Sequence, residues 1–400
     1  MLSLLRMAVR TPFAAAGGVL AGWHPVDLTA LVINEALQRS GLDATAIDHL
    51  WVGCDEPVGG QGANLGRAAV VAAGWPETVP ASVVESNPTS GLAALLAGGQ
   101  AIASGRAHHV MVVGVGIGST VTPGASALNR AYGRPWGDRP GDRYRDDGGL
   151  LPPVIVADRE AAQQGANRFD CDQWASESLR RRQATEGPNP WIVPVGALPG
   201  PKVAVQRGEL ITADVLRSPS MAGGSTDTGE SSGVFDPDGL TTAHSLAPAA
   251  DGVVAFILSS DGETAVGELH AVELGGGSLL STAQPAEEAL RRCRFGEPVP
   301  VPERWDVAEP SASTTMVIGG LLRSYEPSWS SDGTINRDGG TLAVGDAGAA
   351  EDLRLVMDAM AASAPGTVGG AIRSAAGSAA ACVWRRREPQ PGSDRANDLG

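Results

Sequence analysis

The segment from residue 81 to residue 114 constrains the fold of this chain more than any other. It runs from an apolar stretch, ASVV, through a corner of mostly small and polar residues, ESNPTS, into a helix-forming stretch rich in alanine and glycine. It ends in a second apolar stretch, HVMVVG, whose β-branched residues are typical of a strand buried on both faces. A strand, a helix and a strand joined by short connections predict a right-handed parallel crossover, and therefore an α/β fold.

Alternating helix and strand patterns continue on both sides of this unit. Pro25–Ser40 carries apolar residues at helical spacing and is followed by Gly41, so we predict a helix that ends there. Further predicted strands cover residues 49–52, 252–258, 267–275 and 305–309, and further predicted helices cover residues 64–73, 91–104, 286–292, 314–324 and 351–362.

The chain divides into two alternating bodies and an insertion between them. Residues 121–240 are rich in Pro, Gly and Asp around two candidate helices, within 153–165 and 171–184, which predicts a loop-rich segment. Residues 81–102 and 306–324 each give a strand, a small-residue corner and a helix, which indicates an internal duplication. The predicted division is an N-terminal half at 1–120 and 241–265, a loop domain at 121–240, a C-terminal half at 266–388 and a flexible tail at 389–400.

Composition excludes several classes of function. The net charge is −15, and no basic stripe with interleaved aromatic residues occurs, so we expect no binding to nucleic acid. No long apolar run and no leader pattern is present, so we expect no membrane insertion and a cytoplasmic location. The 4 cysteines are far apart and form no CxxC pair, so they indicate neither a disulfide framework nor a zinc site, and we expect no metal.

Four segments of the chain carry a family resemblance: RTPF (10–13), SGLAALLAGGQAIASGRAHHVMVVG (90–114), GLTTAHSLAPAADGVVAFIL (239–258) and INRDGGTLAVGD (335–346). They resemble the thiolase superfamily, in particular 3-ketoacyl-CoA thiolases and acetyl-CoA acetyltransferases. The resemblance implies an α/β thiolase-like fold, with two topologically similar halves in five layers and a loop domain over a coenzyme A site. It also implies dimers or tetramers, no required cofactor, and coenzyme A, acyl-CoA or an acyl-carrier thioester as a ligand.

The resemblance also implies where the catalytic residues of the family would lie, and this chain departs from the family at each position. The nucleophilic Cys of the motif N-R-x-C-x-S-G-L falls on Pro88, just before Thr89 and Ser90. The His of N-x-x-G-G-x-x-A-x-G-H-P falls on Asp346, although Asn336 and Gly345 match that motif.

The two remaining catalytic motifs are also substituted. The Cys of C-x-G-G-G-x-G falls on Ser374, with only Gly377 retained, and the Asn of N-E-A-F falls on Ser311. The coenzyme A-contacting motif T-A-G-N-S-S-G corresponds to residues 242–248, which include His244.

These substitutions remove the chemistry that thiolases use. Proline has neither a thiol nor a backbone N–H, so Pro88 can be neither a nucleophile nor an oxyanion donor. We place it in the first turn of the following helix, where the missing donor is not needed. An aspartate at 346 cannot replace a histidine that activates a thiolate. We therefore predict no condensation or thiolysis through an acyl-cysteine.

Two hypotheses about function follow. The first is a non-catalytic thiolase-like protein that binds an acyl thioester, or that pairs as a homodimer or as a hetero-oligomer with an active thiolase-like or small accessory subunit. The alternative is an acyltransferase, condensing or retro-aldol enzyme that uses Asp346, Ser374, His244 or a tyrosine (Tyr132, Tyr144 or Tyr325).

Several further side chains could have either a functional or a structural role. Thr89, Ser90 and Ser311 can contact a ligand in the pocket or cap helices. The cysteines Cys54 and Cys382 are predicted to be buried apolar residues, and Cys171 and Cys293 to be surface or helix residues without a role.

Overall fold

The computed structural model describes residues 2–128, 133, 135–185, 189–201, 206–217, 232–262, 264–293, 299–327, 329 and 333–388. The predicted tail at 389–400 and the candidate Tyr132 lie outside the described residues. Within the described part of the chain, no helix has both the length and the apolar composition needed to cross a membrane.

The strands, in chain order, are β1 (Ser3–Arg10), β2 (Ala14–Ala15), β3 (His49–Cys54), β4 (Ala81–Val84), β5 (His109–Ile117), β6 (Val195–Gly196), β7 (Leu210–Ile211), β8 (Ala250–Ser259), β9 (Gly267–Gly276), β10 (Arg304–Val307), β11 (Val368–Ala375) and β12 (Ser378–Arg386). The helices are α1 (Pro25–Ser40), α2 (Leu65–Ala72), α3 (Ser90–Ala103), α4 (Ala125–Leu128), α5 (Asp138–Arg143), α6 (Pro153–Gln163), α7 (Arg168–Ala184), α8 (Ala283–Cys293), α9 (Ala312–Tyr325), α10 (Thr341–Val344) and α11 (Ala349–Ala361).

The main sheet consists of two halves with the same connectivity. Its strand order is β10-β11-β12-β9-β1-β8-β5-β3-β4, and the halves join where β1 pairs antiparallel with β9. In the first half β3 and β5 are parallel, and β8 runs antiparallel to both β5 and β1. In the second half β10 and β11 are parallel, and β12 runs antiparallel to both β11 and β9. The predicted pair of topologically similar halves is therefore confirmed.

The two halves of the sheet and the helices that cover them form five layers. Helices α3 and α11 pack in the centre, α1 and α2 cover the outside of the first half, and α8 and α9 cover the outside of the second. On β5, Val112 faces the central layer and Val113 faces the outer layer, because successive strand residues point to opposite faces. Both are fully buried, and each such side chain contributes roughly 1.5–3 kcal/mol. This alternation explains why the strand is apolar along its whole length.

The internal repeat predicted from sequence pairs the wrong helices. The sequence pattern matches α3 with α9, because each follows a strand and a corner of small residues. In the sheet, however, α3 precedes β5 and α11 precedes β11, and β5 and β11 occupy equivalent positions. The topological counterpart of α3 is therefore α11.

A buried ion-pair network ties the insertion to the core. Arg10, from the RTPF segment, lies 2.6 Å from Asp214 and 3.0 Å from Asp358 of α11. Arg182 of α7 also pairs with Asp214, at 2.5 Å. Burial opposes ionisation, but Arg10 and Arg182 hold the pKa of Asp214 well below its usual value. This network fixes the segment that continues from Asp214 to Arg217.

Candidate functional site

The α3 corner (residues 85–90) is closed by hydrogen bonds within itself. The hydroxyl of Thr89 donates to the carbonyl of Ser86 at 2.8 Å, and the N–H of Ser86 donates to the Ser90 hydroxyl at 2.9 Å. Helix α3 begins at Ser90 with Thr89 at its N-cap position. Pro88 therefore lies before the helix, and the expectation that it occupies the first helical turn is wrong.

Carboxylates from elsewhere in the chain accept from the first N–H groups of α3. Asp55, which follows β3, accepts from the N–H of Ser90 at 3.2 Å. Asp352 of α11 accepts from the N–H groups of Gly91 at 3.0 Å and Leu92 at 3.3 Å. Such N–H groups have no partner inside a helix and stabilise negative charge. In this protein they stabilise side chains of the protein itself.

A buried arginine lies among these carboxylates, and together they form the Arg373 cluster: Arg373 with Asp55, Asp346 and Asp352. The guanidinium of Arg373 lies 2.9 Å from the carboxylate of Asp346 and 3.5 Å from that of Asp352. Burial raises the pKa of Asp55 and raises that of Asp352 well above its usual value, while the charge of Arg373 opposes both shifts. The cluster thus contains one guanidinium and three carboxyl groups, and burial opposes the ionisation of two of these, Asp55 and Asp352.

Glycine permits α11 to approach α3 this closely. A Cβ atom on Gly91 would lie 2.2 Å from the carbonyl oxygen of Ala349 at the start of α11. The same oxygen would lie 2.3 Å from a Cβ on Gly114 of β5. Asp352 reaches the N-terminus of α3 because the first turn of α11 lies against these two glycines.

All four cysteines are buried. Burial raises the pKa of Cys54, Cys171 and Cys293 to about 12, and raises that of Cys382 well above its usual value. Since the thiolate is the nucleophilic form, these shifts oppose covalent catalysis. Cys171 and Cys293 lie on helices but are buried, so they are not surface residues.

The structure separates Ser374 from Asp346. The hydroxyl of Ser374 donates to the carbonyl of Thr282 at 2.7 Å, on the side of β11 that faces the start of α8. Its neighbour Arg373 points to the opposite face and meets Asp346. Sequence reasoning missed Arg373, although the alternation of side chains along β11 carries the signal. Gly377 forms the turn after β11 with φ of 86°.

Asn336 and Ser311 support the local backbone. Asn336 bonds both backbone groups of Val307, accepting from its N–H at 2.6 Å and donating to its carbonyl at 3.0 Å. Ser311 is the N-cap of α9 and accepts from the N–H of Thr314 at 3.4 Å. Both side chains are therefore engaged within the protein.

Gly345 lets the backbone before Asp346 approach β8. Its φ is 98°, and a Cβ there would lie 2.8 Å from the Cβ of Ala250. The N–H of Asp346 donates to the carbonyl of Pro248 at 2.8 Å. This contact joins the Arg373 cluster to the segment that precedes β8.

That segment lines the apolar cavity, a space of about 220 Å³. Its lining includes Leu246, Ala247 and Pro248, Val344 from α10, and the charged residue Arg217. An engineered apolar cavity of about 150 Å³ holds benzene, so this space is large enough for an apolar group of at least that size. Its lining includes part of the 242–248 segment that resembles the coenzyme A-contacting motif.

His244 and the tyrosines are not part of the α3 corner. The ring of His244 hydrogen-bonds Ser176 of α7. The hydroxyl of Tyr144 accepts from the N–H of Leu279, and Tyr325 lies at the end of α9. The structure therefore links Ser90, beside Thr89, to Asp346 through the Arg373 cluster, and it places these other candidates elsewhere.

Comparison with known proteins identifies the family. Residues 5–262 match the family described as "Thiolase, N-terminal domain", so the chain belongs to the thiolase family. It is 44% identical over 108 residues to the steroid 3-ketoacyl-CoA thiolase FadA6 of Mycobacterium tuberculosis, a match that covers 27% of this chain and 26% of that protein. It is 28% identical over 276 residues to the β-ketoadipyl-CoA thiolase of Acinetobacter baylyi, covering 66% of this chain and 67% of that one.

Solved structures support the same fold. The dimeric peroxisomal thiolase of Saccharomyces cerevisiae superposes with a TM-score of 0.78 at 19% identity, covering 96% of this chain and 97% of that one. The Acat5 thiolase of Ascaris suum, in complex with coenzyme A, superposes with a TM-score of 0.72 at 21% identity, covering 96% of this chain and 99% of that one. The predicted α/β thiolase-like fold is confirmed.

The raised pKa of Asp352 predicts a pH-dependent stability difference. A carboxyl whose pKa is raised by folding contributes stability below its unfolded pKa and loses that contribution as pH rises through the folded pKa. Asp352→Asn keeps an acceptor for Gly91 and Leu92 but cannot ionise. From pH 4 to pH 8 we expect the wild type to lose unfolding free energy relative to this variant, by about 1.4 kcal/mol for each unit of pKa difference.

Urea unfolding at pH 4, 6 and 8 measures this difference. Asp27→Asn, at an exposed position of α1, controls for the removal of one negative charge. A difference between wild type and Asp352→Asn that stays constant over this range would contradict the burial argument.

Proposed function

We propose that this thiolase-family protein binds an acyl thioester, of coenzyme A or of an acyl carrier, without condensation or thiolysis through an acyl-cysteine. The observation that carries the proposal is the use of the first N–H groups of α3 by Asp55 and Asp352. An oxyanion formed at this corner would meet two carboxyl groups where it needs free donors.

The residues around the α3 corner also lack the nucleophile and the base that thiolase chemistry requires. Pro88 stands at the nucleophile position of the family motif, and the carboxylate of Asp346 is paired with Arg373 at 2.9 Å. Cys54 ends β3, just before Asp55, and burial raises the pKa of its thiol to about 12. Among the described residues of this region, no reactive thiol lies beside a side chain that could act as its base.

The apolar cavity supports the binding part of the proposal. It lies against the 242–248 segment, and Arg217, held through the Asp214 network, donates to the carbonyls of His244 at 2.7 Å and Leu246 at 3.1 Å. A cation beside an apolar space suits a chain that carries a phosphate or a polarised carbonyl. The fold similarity to a thiolase in complex with coenzyme A agrees with this assignment.

The alternative enzyme with Asp346, Ser374 and His244 as its catalytic residues has less support. Asp346 is ion-paired with Arg373, Ser374 faces the start of α8, and His244 contacts α7. These three side chains do not form one site.

Filling the cavity tests the binding proposal. Ala247→Trp places an indole ring in the apolar cavity, so we expect affinity for coenzyme A and acetyl-CoA to fall by at least about tenfold, or 1.4 kcal/mol. Ala103→Trp, at an exposed position of α3, is the matched control and should bind like the wild type. Isothermal titration calorimetry measures both. The proposal fails if the wild type shows no binding, or if Ala247→Trp binds as tightly as the control.

We further propose that two copies of the chain pair along β4. This strand hydrogen-bonds to β3 on one side, and among the described strands nothing pairs with its other edge. Its residues Ala81–Val84 are all half-buried, and an unpaired edge of this kind is a ready template for another strand. Sedimentation should give a mass near twice the chain mass of 40.8 kDa. A monomer would contradict the pairing, and a complex with a different subunit would support the hetero-oligomer hypothesis instead.

A further inference from the structure

A serine and a histidine lie in contact at an accessible position outside the α3 corner. The hydroxyl oxygen of Ser176, on α7, is 2.9 Å from Nε2 of His244, in the segment before β8. Ser176 is exposed and His244 is half-buried. A hydroxyl within hydrogen-bonding distance of a base, with a third group orienting that base, is the geometric signature of an activated nucleophile.

The surroundings of His244 favour the neutral ring that a general base requires. Burial lowers its pKa and the charge of Arg217 lowers it further, while the Asp172 carboxylate and a hydrogen bond from the ring to the Asp172 backbone act in the opposite direction. The Ser176 hydroxyl has one proton, which it donates either to the Asp172 carbonyl at 3.0 Å or, after rotation about its C–O bond, to Nε2 of His244 at 2.9 Å. Asp172 thus positions both members of the pair from the same turn of α7.

The pair lies beside the apolar cavity. Ala243, the residue before His244, lines the cavity, and so does Arg217. The guanidinium of Arg217 donates to the carbonyls of Ala243 and His244, which holds this cation next to the pair. A fixed guanidinium at this place can stabilise negative charge on an attacked carbonyl oxygen.

Other serine–histidine contacts in the protein lack these features. His109 lies 2.7 Å from the hydroxyl of Ser259, which is fully buried, and His49 lies 3.1 Å from that of Ser82 on the β4 edge. His108 lies 3.4 Å from the hydroxyl of the exposed Ser260. No residue of these three pairs is next in sequence to a residue that lines the apolar cavity, whereas His244 follows Ala243. The combination of an exposed hydroxyl, a base, a cation and an adjacent cavity distinguishes Ser176 and His244.

We propose that Ser176 and His244 hydrolyse acyl thioesters bound in the apolar cavity, which rests on the binding function proposed above. The Ser176 oxygen attacks the thioester carbonyl carbon while His244 Nε2 takes the hydroxyl proton. The carbon–sulfur bond then breaks, and His244 returns the proton to the departing thiolate. Water attacks the resulting serine ester with His244 as base, which releases the carboxylic acid and restores the hydroxyl. No oxidation or reduction occurs.

Thioester hydrolysis by the full chain tests this inference. With acetyl-CoA or a longer acyl-CoA, we expect release of free thiol and free acid in equal amounts. Ser176→Ala and His244→Gln should each lower the rate by at least about 100-fold, as expected for loss of a nucleophile or a general base. Ser324→Ala is the matched control, because Ser324 is also exposed and donates to a helix carbonyl, that of Leu321. Its rate should equal that of the wild type.

The pH dependence and a covalent probe give independent readouts. Since His244 must be neutral to accept a proton and its pKa is lowered, the rate should rise with pH along a limb below the usual histidine value of about 6.5. A fluorophosphonate probe should label Ser176 in the wild type, and labelling should be lost in His244→Gln. Labelling of another residue, or hydrolysis unaffected by Ser176→Ala, would overturn the inference.

Calorimetry on the same samples separates this inference from the binding proposal. If coenzyme A binds to the wild type but neither hydrolysis nor labelling occurs, the serine–histidine inference fails and the binding proposal stands. If Ser176 is labelled but no coenzyme A binds, the binding proposal fails, and so does the assignment of acyl thioesters as the substrate.

Discussion

The hydrogen bonds from the N-terminus of α3 to Asp55 and Asp352 are the interaction on which this account depends. A helix N-terminus offers only a few free N–H groups, and they can stabilise either an internal carboxyl group or a reacting anion. In this protein the internal groups lie 3.0–3.3 Å from the helix N–H groups, and Arg373 is held among them. The corner is therefore part of the folded core, with its donors already in use.

The family fold persists because its stability rests on contacts that need no nucleophile. Gly91 and Gly114 allow α11 to pack against α3 and β5, and Arg10 joins β1 to α11 and to the segment lining the apolar cavity. These contacts would hold whether or not a thiol stood at position 88. The fold can therefore be retained without the catalytic residues of the family. A site beside the cavity, such as Ser176 with His244, can then act independently of the α3 corner.

Sequence patterns predicted most elements but not their long-range partners. The bounds of α1 and β4 were predicted as observed, because helical periodicity, a final glycine and a short apolar run are local signals. Strand β1 was not among the predicted strands. Arg373 was not predicted because the family motif matches its neighbour Ser374, whose side chain lies on the opposite face of β11. The Arg373 cluster joins Asp55 to Asp346, Asp352 and Arg373, which lie in the other half of the chain, and no local pattern records such contacts.

The most direct measurement is product analysis by mass spectrometry after incubation of the protein with acetoacetyl-CoA and coenzyme A, together with the intact mass of the protein. We predict no acetyl-CoA above the protein-free background and no acyl group on any cysteine, whatever free acid is released. Formation of acetyl-CoA accompanied by an acylated cysteine would contradict the account, because the α3 corner would then have to supply a thiolate and free donors.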